Sequence, residues 1–415
     1  MRLKPTIVLG TVDTRADLSF RTLWRSTNFW ILLCYSVWYL AIYQYCYYAY
    51  SRDPTSFFFD ASKGYKRIYS SKRERQANDF IKAANISTKV LDPHPKPSIC
   101  LGIATVARSE VQYIDRTIGS LLEGLTDNQR RNIHLAVFFA QTDPHRHPSY
   151  NEPWLKNLAD EIIEYNVGEK EMARLRSLEK DHQFWNKSMY DYEYLLGKCI
   201  ETDAQWMMLV EDDVLAKEGW YNQAMDALEE IQHQMKTRQW LYLRLFYTEK
   251  LFGWNSEEWF HYLTWSLLAF VVTVIALGIA RSHSRRLRKH MSNVSIAIIC
   301  CFCLPATILL YFMAGRVSMQ PPLIGLQRME KFGCCSQGLI FPRQIVPRTM
   351  ETVHHATNQR YYVDMTLERW ANAEALPRYA LVPPLLQHVG SKSSKWSKFD
   401  EGANSIWNFE FENYT

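Results

Sequence analysis

Three stretches free of Asp, Glu, Lys and Arg interrupt the mixed polar and apolar pattern of this chain: Phe29–Tyr50, Trp259–Ala280 and Val294–Ala314. Each is long enough to cross a bilayer as a helix, which takes about 20 residues. The second and third are separated only by Arg281–Asn293 and so form a hairpin. Around them the chain carries the periods of an α/β domain. Ile99–Val106 is a continuous apolar run of the buried-strand type. Behind Ser109 and Glu110, the apolar positions Tyr113, Ile114, Ile118, Leu121 and Leu122 follow a helical period. The pattern then predicts a strand at Ile133–Ala140, helices around Trp154–Ile163 and at Asn186–Ile200, and a strand at Trp206–Val210 that ends in Glu211-Asp212-Asp213. A further strand, Trp240–Tyr247, leads into the hairpin, and a helix is predicted at Met365–Ala373. This alternation predicts an open, mostly parallel α/β sheet, whose ligands bind beyond the carboxyl ends of its strands.

The same pattern divides the 415 residues into a tail (1–28), a membrane helix (29–50), a polar stem (51–98), a first globular part (99–258), the hairpin (259–314, with loop 281–293) and a second globular part (315–415). Charge sets the expected orientation. Arg2, Lys4, Arg15, Arg21 and Arg25 precede the first span. Arg281, Arg285, Arg286, Arg288 and Lys289 fill the hairpin loop, which holds no acid. Both segments belong in the cytoplasm by the positive-inside rule. Segments 51–258 and 315–415 then share the lumenal side and can pack together. The first span lacks a small-residue cleavage site and reads as a retained signal-anchor.

The net charge of +5 resides in those two cytoplasmic segments and leaves the remainder mildly acidic, at about −3. With no basic face, nucleic acid is excluded as a partner, and the cytoplasmic bases meet anionic lipid instead. Sequons at Asn85, Asn186 and Asn413 fall on the expected lumenal side and are candidate glycosylation sites; the one at Asn293 falls on the cytoplasmic side. Of nine cysteines, Cys34, Cys46, Cys300, Cys301 and Cys303 lie in the spans. Cys100, Cys199, Cys334 and Cys335 are left for disulfide bonding, in a pairing the sequence leaves open.

Glu211-Asp212-Asp213 is the sharpest chemical signal. Three acids after an apolar strand repel one another and need positive charge nearby. A divalent cation bridging a diphosphate supplies it, since hard carboxylate oxygens suit such ions; an acidic cap for the following helix is the alternative. Neither Gly-x-Gly-x-x-Gly nor a phosphate loop ending in Gly-Lys-Ser/Thr is present.

Glu211-Asp-Asp-Val214 resembles the Asp-x-Asp-type motif of GT-A glycosyltransferases, with Glu in the first place. Gly102-Ile-Ala-Thr-Val-Ala-Arg108 is similar to their first nucleotide-binding strand and loop. Asp191, Tyr192 and Leu195 sit before the acidic motif as in the N-acetylglucosaminyltransferase IV group. Gly333-Cys-Cys-Ser-Gln-Gly-Leu-Ile-Phe341 resembles the glycine loop beneath the donor, and Pro383–Ser394 the segment whose histidine completes the metal site. A tandem span between acidic motif and glycine loop resembles the post-GPI-attachment N-acetylgalactosamine transferase family. The resemblance implies a GT-A-type domain split by the hairpin, in a multi-pass Golgi membrane enzyme with its catalytic domain lumenal. It would transfer GalNAc from a UDP-sugar to a mannose of the glycan on a GPI-anchored protein or GPI glycolipid.

The roles implied are specific. Asp213 and His388 would hold Mn²⁺ or Mg²⁺; Asp212 or Glu211 would bind the ribose; Arg108 would meet the diphosphate or uracil; and Gly338 would lie under the donor. Asp364 would act as general base in a direct, inverting transfer, with Glu249 in reserve. Each has a plainer reading: a helix cap for Asp364, a packed polar residue for His388, a surface charge for Arg108, a simple turn for the glycine loop. A hairpin that holds the site at a fixed height over the bilayer suits an acceptor that starts at the lipid headgroup. The rival functions are N-acetylglucosamine transfer to N-glycans, and a non-catalytic membrane adaptor on a degenerate transferase fold.

Overall fold

The computed structural model describes residues 26–86, 96–236, 238–329, 333–357, 359, 361–390 and 406–414. The basic tail and residues 391–394 of the C-terminal motif therefore lie outside the described residues. The chain divides into two compact units, one formed by 1–64 with 252–321 and the other by 65–251 with 322–415.

The first unit holds three helices long and apolar enough to cross a membrane: Thr27–Ala49, Trp259–His283 and Asn293–Met313. Their ends lie within a few residues of the predicted runs. The third contains a π turn at Ile299–Cys303. There the Cys303 carbonyl accepts both its own helix's Thr307 hydroxyl (2.9 Å) and the Tyr35 hydroxyl of the first helix (2.6 Å). Ser295 Oγ donates to Asn28 Oδ1 at 2.6 Å, so polar contacts join these helices near both positions. Cys34, Cys46, Cys300, Cys301 and Cys303 are free thiols.

The second unit is built on an eight-stranded mixed sheet. Its strands are β1 (Ile99–Thr105), β2 (Ile133–Phe139), β3 (Glu161–Ile163), β4 (Trp206–Glu211), β6 (Leu243–Arg244), β7 (Gly325–Arg328), β8 (Gly338–Pro342) and β9 (Tyr379–Val382). Val214–Ala216 (β5) and Leu386–His388 (β10) pair separately. The order is β3-β2-β1-β4-β8-β6-β9-β7. The β1–β2, β2–β3, β1–β4 and β6–β9 pairs are parallel, and β8 runs antiparallel to both β4 and β6. Both faces are covered: Ile99, Leu101 and Ile103 face one core, Cys100 the other. That double burial is why β1 reads as an unbroken apolar run. Gly102 is required there, because a Cβ would lie 2.7 Å from Leu209 of β4 and 3.0 Å from Leu195 of the helix Phe184–Ile200. Cys100 is disulfide-bonded to Cys199 of that helix.

β8 lies between β4 and β6 although the hairpin separates it from both in sequence. The parts before and after the hairpin therefore make one sheet. They occupy the same side of any membrane the hairpin crosses.

Three elements differ from the sequence reading. The helix expected around Trp154–Ile163 ends at Leu158, and Glu161–Ile163 extends the sheet instead. Trp240–Tyr247 contributes only Leu243–Arg244 to the ladder. The expected stem contains the helix Tyr69–Ile86, part of the second unit. Arg73 of this helix is fully buried, donating from Nε to Ala216 O (2.8 Å) and from Nη2 to Ser120 O (2.9 Å), with Glu123 as counter-charge. Ala77 backs onto Gly119, whose Cβ would fall 2.6 Å from the Ala77 carbonyl, so the two helices meet at backbone distance.

The segment Ile406–Tyr414 is bound into the unit by buried polar contacts. Asn408 and Gln387 exchange hydrogen bonds, and Glu412 accepts the N–H groups of Ile68 (2.6 Å) and Ser70 (3.1 Å) at the start of the helix Tyr69–Ile86. Glu249, the reserve base, is also consumed here. It is 2 % exposed and accepts the N–H groups of Phe409 and Glu410. Burial pushes its carboxyl from 4.5 up to about 8, against those N–H donors. Its protonation therefore stabilises the fold fully below pH 4.5, and that contribution is lost as pH rises through about 8. Glu249→Gln should gain thermal midpoint relative to the wild type as pH is raised through that window; parallel melts across pH would check it.

Candidate active site

β1 and β4 are parallel neighbours, so their carboxyl ends, Thr105–Arg108 and Glu211–Asp213, meet at one edge of the sheet. β5 begins directly after Asp213, and its antiparallel pairing sets His388 opposite Val214. Register alone thus brings Asp213 and His388 together from positions far apart in the chain.

Arg108 lies across the acids. Nη1 and Nη2 bond Asp212 Oδ2 and Oδ1, both at 2.7 Å, and Nη2 also reaches Asp213 Oδ2 at 3.2 Å. The positive charge that the acid triplet needs thus comes partly from within the protein. Asp213 Oδ2 is 3.5 Å from His388 Nε2. His388 Nδ1 donates to Ile406 O at 3.0 Å, which orients the ring and aims Nε2 at Asp213. Burial alone would raise the Asp213 carboxyl, but His388 and Arg108 outweigh it and hold it well below the usual carboxylate range. Burial likewise favours neutral His388, and the Asp213 carboxylate overrides it and raises the imidazole.

Two observations fit this pair to a hard divalent cation. Asp213 Oδ1 is buried and has no hydrogen-bond partner among the described residues, an uncommon state for a carboxylate oxygen. Beside the other oxygen of the same carboxylate, Gly390 keeps a space that any side chain would fill: a Cβ there would lie 2.1 Å from Asp213 Oδ2 and 3.0 Å from His388 Nε2. Among the described residues no three His, Cys, Asp or Glu side chains cluster to hold a metal alone. One carboxylate and one imidazole are a donor set suited to a hard divalent cation that also takes ligands from substrate.

On the other side of Glu211 stands the loop Gly333–Gln337. Its adjacent cysteines, Cys334 and Cys335, are bonded to each other. The Cys335 N–H donates to Asp364 Oδ2 at 3.0 Å, and the Cys335 carbonyl accepts from Arg244. Ser336 Oγ (2.8 Å) and Gln337 Nε2 (3.2 Å) hold the two Glu211 oxygens. One loop thereby positions the expected base and the first acid of the motif. Beneath it Arg244 is 1 % exposed and is tied to Glu368 at 2.8 Å.

The structure therefore gathers Arg108, Asp212, Asp213 and His388 in one contact network, and links Glu211 and Asp364 through the cysteine loop. Gly338, expected beneath a donor, lies within β8, where a Cβ would fall 2.3 Å from Leu386; its smallness serves packing of β10 on the sheet. Asn85 and Asn413 are exposed, but Asn186 is 7 % exposed inside a helix with Nδ2 donating to Gln183, so that sequon is not presented. Sequence reasoning missed Thr105, His147 and Gly390 as members of the site. Thr105 lay unremarked inside the Gly102–Arg108 motif, and His147 gave no signal beyond its place between two prolines.

The sequence model of a protein family described as GPI-N-acetylgalactosamine transferase PGAP4 matches residues 99–387. The match runs from the first residue of β1 to Gln387 within β10, one residue short of His388, and includes the hairpin and every residue of the Arg108–Asp212–Asp213 contact.

Proposed function

From its membership of the GPI-N-acetylgalactosamine transferase PGAP4 family, this glycosyltransferase has the glycan of a GPI anchor as its acceptor kind, and we propose that it moves GalNAc from UDP-GalNAc to a mannose of that glycan by a metal-dependent, inverting reaction on a GT-A-type domain. The observation that carries the mechanism is the unpartnered Oδ1 of the buried Asp213, whose other oxygen, Oδ2, lies 3.5 Å from His388 Nε2. Asp213 and His388 would hold Mn²⁺ or Mg²⁺, which when bound would supply charge stabilisation for the departing diphosphate. Arg108 keeps a fixed positive charge next to the same position. Glu211, held by Ser336 and Gln337, offers its carboxylate to the donor's ribose. Asp364 takes the proton of the attacking hydroxyl, for which it must come within about 3 Å of that oxygen. The Cys335 N–H holds Oδ2, and Oδ1, which accepts the Met365 N–H, has a second lone pair for that proton.

The three apolar helices support a multi-pass enzyme, and the basic hairpin loop supports a cytoplasmic loop with a lumenal catalytic domain, the arrangement of a Golgi transferase. The purified, detergent-solubilised protein tests the reading when given a panel of UDP-sugars and a GPI-glycan acceptor, with Mn²⁺ and EDTA arms. Transfer from UDP-GalNAc alone, abolished by EDTA and restored by Mn²⁺, is the expected outcome. Transfer only to N-glycans would replace the acceptor. No transfer and no donor hydrolysis by folded protein would replace the enzyme with a membrane adaptor.

A further inference from the structure

Three of the four lone-pair sites of the Asp212 carboxylate are taken within the protein. Oδ2 accepts Thr105 Oγ1 at 2.6 Å and Arg108 Nη1 at 2.7 Å, while Oδ1 accepts Arg108 Nη2 at 2.7 Å. Behind Thr105 stands His147. The Ser149 N–H donates to His147 Nδ1 at 3.1 Å, so that nitrogen carries a lone pair and the proton sits on Nε2. Nε2 lies 3.0 Å from Thr105 Oγ1. Donation then runs one way: Ser149 N–H to His147, His147 Nε2–H to Thr105, Thr105 O–H to Asp212. Hydrogen bonds aligned in this sense reinforce one another. Thr105 and His147 are each 2 % exposed and Asp212 is 5 % exposed. Burial pushes His147 down to about 4, which keeps the ring neutral and the chain of donors intact.

Arg108 stands between two carboxylates. Nη2 is 2.7 Å from Asp212 Oδ1 and 3.2 Å from Asp213 Oδ2. A guanidinium gains most by forking both nitrogens onto one carboxylate. With Asp212 locked, the fork stays on Asp212 and Asp213 keeps Oδ1 unpartnered. With Asp212 free to turn, the fork is drawn to Asp213 and covers the oxygen that a cation needs.

We propose that His147 and Thr105 are positioning residues that set the divalent-cation affinity of the Asp213–His388 pair, by locking Asp212 as the counter-charge of Arg108. The inference rests on the metal reading above.

The test is Mn²⁺ binding by the full-length solubilised protein without donor, followed through the electron paramagnetic resonance signal of free aqueous Mn²⁺. Thr105→Val keeps the shape and strand preference of the residue and removes the hydroxyl; its Kd for Mn²⁺ should rise about 10–100-fold, the usual scale for outer-shell partners of a metal ligand. Thr105→Ser restores the hydroxyl and should return Kd close to that of the wild type. His147→Phe keeps a ring against Phe139, which it meets edge-on at 5.0 Å, and should weaken binding in the same direction as Thr105→Val. A purely structural role would lower the melting temperature of Thr105→Val and leave Kd unmoved; that result overturns the inference. Equal loss in Thr105→Ser overturns it too, because the hydroxyl would not be the determinant. A wild-type protein that binds no Mn²⁺ overturns the metal reading itself, an outcome distinct from the other two.

Discussion

Asp213→Asn should cut sugar transfer by about 10³-fold, the scale on which losing one preorganised contact to developing charge is felt, and should abolish measurable Mn²⁺ binding. The substitution keeps the shape of the side chain and removes only its charge. In the native protein that charge faces His388 at 3.5 Å and Arg108 at 3.2 Å. Neither neighbour is stranded by the change. Arg108 retains both bonds to Asp212, and His388 can shed its proton while Nδ1–H still donates to Ile406 O. Removing one partner of a buried pair is costly when it leaves an uncompensated charge, and here it does not. The thermal midpoint should therefore fall only by what the ionised carboxylate contributes to the fold, with the protein still folded at the assay temperature while activity collapses. Transfer assays, Mn²⁺ titration and a melt on the same preparation measure all three; near-normal transfer in Asp213→Asn would remove Asp213 from the chemistry.

Asp364→Asn separates the two readings of that residue. Its carboxylate accepts the Cys335 N–H at 3.0 Å and the Met365 N–H at 2.8 Å. An asparagine carbonyl can still accept the Cys335 N–H, although its amide nitrogen cannot accept the Met365 N–H in place of Oδ1, so a residue that merely caps its helix and anchors the loop should lose some stability and keep its kcat. A general base cannot, because an amide takes no proton. The expected result is a fall in kcat of about 10²–10⁴-fold, with the KM for donor and Mn²⁺ binding close to those of the wild type. Asp364→Ala, which also releases the Cys335 N–H, should cost stability in addition. Unchanged kcat in Asp364→Asn would return Asp364 to a structural role.

What the sequence made legible follows from what each element buries. β1, β2 and β4 are covered on both faces, so they appear as short, nearly continuous apolar runs. The three long apolar helices are legible for a simpler reason, since each run holds no Asp, Glu, Lys or Arg over a length that could cross a bilayer. The helix Tyr69–Ile86 was hidden because its inward face is Arg73, Ala77, Ile81 and Ala84: a buried arginine and two alanines amid many exposed charges read as a linker. β3 and β6 are too short to leave a period. The acids and His388 could be found from type and order along the chain. Thr105 and His147 could not, because their meaning lies in a hydrogen-bonded path to Asp212 across a separation of 107 residues. The role of Gly390 was equally invisible, since it consists of room left for other groups.

In any membrane that the hairpin crosses, the interleaving of β8 between β4 and β6 makes its insertion a step of protein folding. β4 and β6 emerge before the hairpin, yet their shared neighbour is made only after both hairpin helices. Until the second of those helices has crossed back, the first part of the sheet waits with two adjacent strand edges open, a long-range closure of the kind that folds slowly. An insertion error that leaves one helix of the pair outside the bilayer does more than alter topology. It strands β8, the cysteine loop and Asp364 in the other compartment, and the half-sheet left behind has no partner with which to finish.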